Sequence, residues 1–372
     1  MKLTIERAAL LQALSHIHRV VERRNTIPIL SNVLLEASGQ KLLLRASDMD
    51  IEVTETVPCD VAQPGGTTLP AHTFHDLVRK LPDGAHVSLD DTAQSGQLLI
   101  KSGRSRFTLQ CLPPEDFPDI AAGELPYKFS VPGDALKMLI TKTQFAISNE
   151  ETRYYLNGVF LHLGTEDGRP FLRAVATDGH RLARIQIDAP AGVTELPGVI
   201  FPRKAVGETL KLIDDQSGDV HIALSTQKIR VEVGNVVLVS KLIDGSFPDY
   251  ARVIPIGNDK RITVSKTEFR QAVDRVSTIA QDRGRAIALA FSDDRISLSV
   301  NNPDQGRAQE EIEAEYSGAP IEIGFNSRYL LDIVSAIDND RVLITLNDPG
   351  SPCIIRDPGS EASLFVLMPM RV

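Results

Sequence analysis

Apolar positions in this chain follow two periods, and the blocks that carry them recur three times. Alternation at period two runs through 41–45 (KLLLR), 50–57 (DIEVTETV), 97–101 (QLLIK), 106–111 (RFTLQC), 228–233 (KIRVEV) and 295–300 (RISLSV). Alternation of this kind places every second side chain on one face and predicts half-buried strands. Helical spacing is rarer. Leu10, Leu14, Ile17 and Val21 lie four, three and four apart, which draws one apolar stripe along a first helix. Ser265 and Glu268 have the spacing of a capping box and predict the start of a later helix. Many alternating strands with about two helices per block predict modules of α+β class, sheets packed on a helix pair.

The recurrence is clearest where a helix leads into a strand: LPAHTFHDLVRKLPDGAHVSLD from Leu69, FPRKAVGETLKLIDDQSGDVHIAL from Phe201, and GFNSRYLLDIVSAIDNDRVLITL around Phe325. With Leu69, Phe201 and Phe325 aligned, the apolar stripes coincide: Phe74, Leu77, Val78 and Leu81; Val206, Leu210 and Ile213; Leu330, Ile333, Val334 and Ile337. Each block opens on a strand that runs into a helix, from Lys2, Lys128 and Arg261. The first two close on Phe117-Pro118-Asp119 and Phe247-Pro248-Asp249, where proline holds the preceding residue extended. Repetition at domain length predicts three similar domains, 1–126, 127–250 and 251–372, and favours a scaffold over an enzyme.

Composition narrows the class. The chain has 372 residues and is 42% hydrophobic, enough for three cores. No apolar run approaches membrane-spanning length, and the N-terminus enters a strand at once, without a signal-peptide pattern. Cys59, Cys111 and Cys353 are odd in number and fall in different modules, which fits a reducing cytoplasm better than a disulfide or zinc framework. The net charge of −9 argues against a simple nucleic-acid coat. Its distribution changes that picture. Arg19, Arg23, Lys80, Lys137, Lys142, Lys204, Lys211, Arg270, Arg275 and Arg328 fall on expected helix faces, whereas Asp48, Asp50, Glu52, Asp90, Asp91, Glu310, Glu311 and Glu313 fall on strands and turns. Any one of these is an ordinary solvated charge. Together they predict a basic helical surface inside an acidic body.

No catalytic signature holds. There is no phosphate-binding glycine loop, dinucleotide fingerprint or nucleophile elbow, and nothing calls for a cofactor. His16 and His18 are two apart on a helix and point to different faces; His72 and His75 could share a metal, but no third ligand stands out. Asp178 and His180 could form an acid–base pair in a hydrolase, but a turn with Gly179 at positive φ explains the same letters.

RYYLNG at 153–158, ATDGHRLA at 176–183, SKLIDGSFPDY at 240–250, MPMRV at 368–372, SGRSRF at 102–107 and TIPIL at 26–30 are similar to segments of the bacterial DNA sliding clamp family, the β subunit of DNA polymerase III. The resemblance runs from Met1 to Val372. It implies a non-catalytic subunit of a DNA-directed DNA polymerase, a nucleotidyltransferase holoenzyme. It further implies a head-to-tail homodimeric ring, helices lining the hole and sheets outside, that encircles duplex DNA without reading sequence. By resemblance, Arg24, Tyr154, Tyr155, Arg203 and Lys204 touch DNA. A pocket between the second and third domains, made by Leu156, Thr177, Gly179, His180, Arg181, Leu182, Pro248, Arg252, Val253, Asn326, Tyr329, Val366, Met368, Pro369, Met370 and Arg371, takes short peptides with apolar anchors. Those peptides belong to the replicative polymerase α subunit, other polymerases, repair or ligation proteins and the ATP-driven clamp loader. Phe107 and Leu109, with Ile279 across the boundary, match the dimer contact. The 344–356 segment, read as a loop, matches poorly. A scaffold that binds no DNA is the alternative the acidic net charge leaves open.

Overall fold

A computed structural model describes residues 1–91, 96–121, 123–216, 218–281 and 285–371. The chain divides into two compact units. The first holds 1–137, 190–194 and 204–242, and the second holds 138–189, 195–203 and 243 onward. The division passes through the middle of the second sequence module, so each unit contains a junction between modules.

Each module repeats one order: strand, helix, three strands, short strand, helix, three strands, with one further short strand, Asp60–Gln63, in the first. The helices are α1 (Arg7–Ile17), α2 (Ala71–Arg79), α3 (Gly133–Thr141), α4 (Arg203–Asp215), α5 (Lys266–Val276) and α6 (Ser327–Ser335). Helix α1 buries Leu10, Ala13, Leu14, His16 and Ile17. It ends one turn before the apolar stripe does. Val21 lies past its end yet is buried, and Arg19 and Arg23 also lie past it. In α4 the buried leucine is Leu212, while Leu210 is only half-buried. The capping box expected at α5 forms, with the Ser265 hydroxyl accepting from the Glu268 N–H. Helix α6 is capped by Asn326, whose Oδ1 accepts from Arg328 N and Tyr329 N at 3.0 and 3.2 Å.

The sheets explain how modules join. In the first unit the last strand of the second module, Val236–Lys241, pairs antiparallel with Ile51–Pro58 of the first, Leu238 opposite Val53. In the second unit the last strand of the third module, Ser363–Leu367, pairs with Arg181–Asp188 of the second, Phe365 opposite Ala183. The two junctions are equivalent: a module's last strand meets the third strand after the previous module's first helix. Two strands of these same kinds keep an open edge. Ser105–Gln110 ends a five-stranded sheet and, among the described residues, pairs only with Gln97–Ser102. Gly306–Glu315 pairs with Arg295–Asn302 along its length, but on its other side only Ala314 and Glu315 are engaged.

Three expectations change here. Residues 344–356 are no loop; they hold the end of strand Arg341–Leu346, a tight turn, and strand Cys353–Arg356. Glu52 does not face outward. It is buried near Arg45, and burial raises its pKa. Lys142 is no solvated helix charge either; it is buried and bonded to Asp338 at 2.5 Å. No helix among the described residues is long and apolar enough to cross a membrane.

Candidate partner pocket and nucleic-acid interface

The pocket lies in the second unit and starts from one turn. Strands Arg169–Thr177 and Arg181–Asp188 are joined by Asp178, Gly179 and His180. Asp178 Oδ1 accepts from His180 N (3.0 Å) and Arg181 N (3.1 Å), and Gly179 has φ +88°, which a glycine adopts without strain. Asp178 is therefore committed to the turn, and the turn reading of these letters holds over an acid–base pair. Arg181 is buried. It donates to Asp178 (3.1 Å), Asp332 (2.6 Å) and the Phe145 carbonyl (2.5 Å) and lies 4.2 Å over the Tyr329 ring. Its guanidinium is thus used inside the protein, tying α6 to the turn.

Around this turn lies a cavity of about 320 Å³ whose apolar wall is Leu156, Leu182, Pro248, Val253, Val366 and Met368. Thr177, Gly179 and Arg181 line it too, so nine of the sixteen sequence-expected pocket residues meet there. Arg153, Tyr155, Asp249 and Tyr250 complete it. All four fall within the segments RYYLNG and SFPDY, and the resemblance places none of them in the pocket. The C-terminal tail is pinned beside the cavity. Met368 N donates to His180 O at 2.9 Å and Met370 N to Gly324 O at 2.8 Å. The remaining expected residues flank the cavity lining. His180 stacks near Tyr329, Asn326 caps α6, and Arg252 is exposed and paired with Asp249; Pro369 and Met370 are half-buried and Arg371 exposed. Burial raises the pKa of the Tyr329 hydroxyl. A larger hollow of about 870 Å³ in the third module is open and lined by carboxylates such as Glu268, Asp293, Glu311 and Glu315. Val264, Ile312 and Ala314 also line it, but carboxylates interleave with them, so it offers no continuous apolar wall for an anchor side chain.

The five candidate DNA contacts differ in availability. Arg24 is exposed and joins none of the ion pairs found among the described residues, and Tyr154 is 53% exposed. Tyr155 turns to the pocket. Arg203 donates to the Ser148 carbonyl, and burial lowers its pKa. Lys204 bonds Asp48 and Glu22. Burial works against its charge, yet those two carboxylates hold its pKa above the usual lysine value. Asp48 is accordingly a partner of Lys204, not part of an outward acidic surface. Of the dimer candidates, Phe107 is 37% exposed on the open strand, and Leu109 and Ile279 are half-buried.

His72 and His75 do gain a third histidine. His18 stacks on His75 at 3.9 Å and meets His72 edge-on at 5.7 Å. The rings are not arranged as ligands: His18 Nδ1 lies 2.7 Å from Leu14 O and His72 Nε2 2.9 Å from Val21 O. Among the described residues no group of three or more His, Cys, Asp or Glu side chains is placed to hold a metal ion. Burial, with like charge from His75, His72 and Arg19 and against the Leu14 carbonyl, lowers the His18 pKa to about 4. Because this folded value lies below the unfolded one, the stability that His18 contributes is full above about pH 6.5 and is lost as pH falls toward 4. Urea midpoints at pH 7 and pH 4.5 check this. The wild type is expected to lose more stability between them than His18→Phe, which keeps the stacking and cannot titrate; equal losses would contradict it.

Residues 1–121, 130–249 and 251–371 match the N-terminal, central and C-terminal domains of the DNA polymerase III beta subunit. The chain is 50% identical over 372 residues to the beta sliding clamp of Caulobacter vibrioides, and 37% identical over 375 residues to that of Escherichia coli, covering all of each protein. Among solved structures, it superposes on the Bartonella birtlesii sliding clamp bound to griselimycin with a TM-score of 0.97 at 50% identity, covering all of both chains. It superposes on the C. crescentus clamp, which has PEG at its proposed beta-motif tethering region, with a TM-score of 0.98 at 50% identity, covering 100% of this chain and 99% of that one. Fold and comparisons together define the class, a non-catalytic DNA clamp of three tandem domains. The chain belongs to the DNA polymerase III beta subunit family, the beta sliding clamps. It acts as a processivity clamp in DNA replication and ties other replication proteins to DNA.

Proposed function

We propose that two copies of this chain close head-to-tail into a ring that encircles duplex DNA, slides on it, and receives partner peptides in the Leu182–Val253–Met368 pocket. The observation that carries the ring is the strand rule at the module junctions. Two junctions are closed within the chain, and the two strands that would form a third, Ser105–Gln110 and Gly306–Glu315, keep open edges. Joining the first to the second of another copy extends the rule, and doing so twice closes six modules. Charge agrees in sign, since Arg104 and Arg106 precede Phe107 while Glu313 lies on the other strand beside Glu310 and Glu311, which pair with Arg275 and Arg295 of their own chain. The domains we assign are 1–126, 127–250 and 251–372. The cellular setting that fits three free cysteines and a replication role is the cytoplasm.

Topological enclosure removes the need for tight binding, so phosphate contacts that exchange quickly are sufficient and permit sliding. Arg24 and Tyr154 are the contacts we favour. Arg203 and Lys204, tied to protein groups, shape the surface and shift its potential. Salt titration of binding to a short duplex tests this. Arg24→Ala is expected to lower the salt slope by about one, and Lys204→Ala by less. An unchanged slope in Arg24→Ala would contradict the assignment. Peptides of the replicative polymerase α subunit, of other polymerases, of repair or ligation proteins and of the clamp loader are the occupants we assign to the pocket. Its walls accept apolar anchors, and tethering there raises a partner's effective concentration at the primer end.

A further inference from the structure

We propose that His162 is a positioning residue of the partner pocket: its hydrogen bond to Tyr250 holds the 248–253 wall in place to receive a peptide. The inference rests on reading that pocket as a peptide site. The wall is a short 3-10 turn, Tyr250–Val253, with no strand pairing, so side-chain contacts must fix where it sits. A ladder of rings does so. Phe247 lies flat on Phe160 (4.8 Å, 4° between planes), and Phe160 stacks on His162 (4.7 Å, 25°). The Tyr250 hydroxyl lies 3.0 Å from His162 Nε2. Gly198 seats the ladder, because a Cβ there would come within 2.7 Å of the Phe160 ring.

The hydrogen-bond direction follows from the other nitrogen. His162 Nδ1 lies 2.7 Å from the Leu163 carbonyl, which can only accept. Nδ1 therefore carries the proton, Nε2 of the neutral ring accepts, and the Tyr250 hydroxyl donates. Burial lowers the His162 pKa against the pull of the Leu163 carbonyl, with help from Arg173 and Arg184 on the neighbouring strands, and so favours that neutral ring. Tyr250 itself lines the cavity with Pro248 and Val253. Removing the acceptor frees the Tyr250 ring to swing and leaves its half-buried hydroxyl without this partner.

The test uses the full-length protein and fluorescence titration with the tightest binder among labelled peptides tiled across the replicative polymerase α subunit. His162→Phe keeps the stacking and removes the acceptor, whereas Tyr250→Phe removes only the donor. Each is expected to weaken binding by roughly five-fold or more, the double variant no further than the weaker single one, and His162→Gln, whose amide oxygen accepts the same bond, to recover most of the affinity. Undiminished affinity in Tyr250→Phe, or losses that multiply in the double variant, would overturn the proposal; so would a failed rescue. Tyr250→Phe carries the test alone if His162→Phe does not fold. Wild-type protein that binds none of the peptides would overturn the pocket reading and this proposal with it. Binding lost on removal of the tail from Met368 but untouched by Tyr250→Phe would overturn this proposal alone.

Discussion

A chain carrying Phe107→Asp and Leu109→Asp is expected to run in light scattering as a monomer of 40.7 kDa, where the wild type runs at twice that mass. Phe107 is 37% exposed on a strand with one unpaired edge, so a large apolar side chain is left partly uncovered by its own chain. An exposed, unpaired strand with an apolar residue is a template for another strand, and natural proteins leave such edges open where a partner covers them. Two carboxylates placed on that edge would have to enter the interface unpaired, beside Glu310, Glu311 and Glu313 of the facing strand in the proposed ring. Burying an unpaired charge costs several kcal/mol, so dimer affinity is expected to fall by on the order of a thousand-fold or more. Circular dichroism checks the fold of the variant, and Phe107→Asp alone, at the exposed position, keeps the test if the half-buried Leu109 change disturbs it. A variant that keeps the dimer mass would contradict the strand rule.

Deleting the chain from Met368 onward is expected to lower peptide affinity by about a hundred-fold or more while leaving the dimer mass unchanged. Met368 is 40% exposed and lines the cavity, yet its backbone and that of Met370 are pinned by hydrogen bonds to His180 and Gly324. The tail is thus an ordered apolar surface available to a partner. Strand Ser363–Leu367 stays and keeps its pairing with Arg181–Asp188, so the module junction does not depend on the deleted residues. Full affinity after the deletion would place peptide binding elsewhere.

The fold was legible where period decided it. Strands such as Lys228–Val233 alternate cleanly, and the Ser265–Glu268 cap gave the start of α5. Less was legible where a contact distant in sequence decides. The stripe through Val21 ran past the end of α1, because buried apolar spacing continues after the backbone leaves the helix. Charge was the weakest guide. Lys142 and Lys204 look like free surface cations in sequence and are ion-paired with Asp338 and with Asp48 and Glu22, far away along the chain. For the pocket, resemblance supplied most of the apolar wall. It left out Tyr250, whose place depends on His162, 88 residues earlier. His18 joining His72 and His75 was unreadable for the same reason, since two helices bring them together.

The central claim is topological: the ring holds DNA by enclosing it. The direct measurement is retention of loaded protein on closed circular DNA, before and after a single cut linearises the circle, at a salt concentration that removes simple electrostatic binding. The account predicts stable retention on the circle and prompt loss on linearisation, by sliding off the ends. Equal retention on both forms, or loss from both, would contradict it.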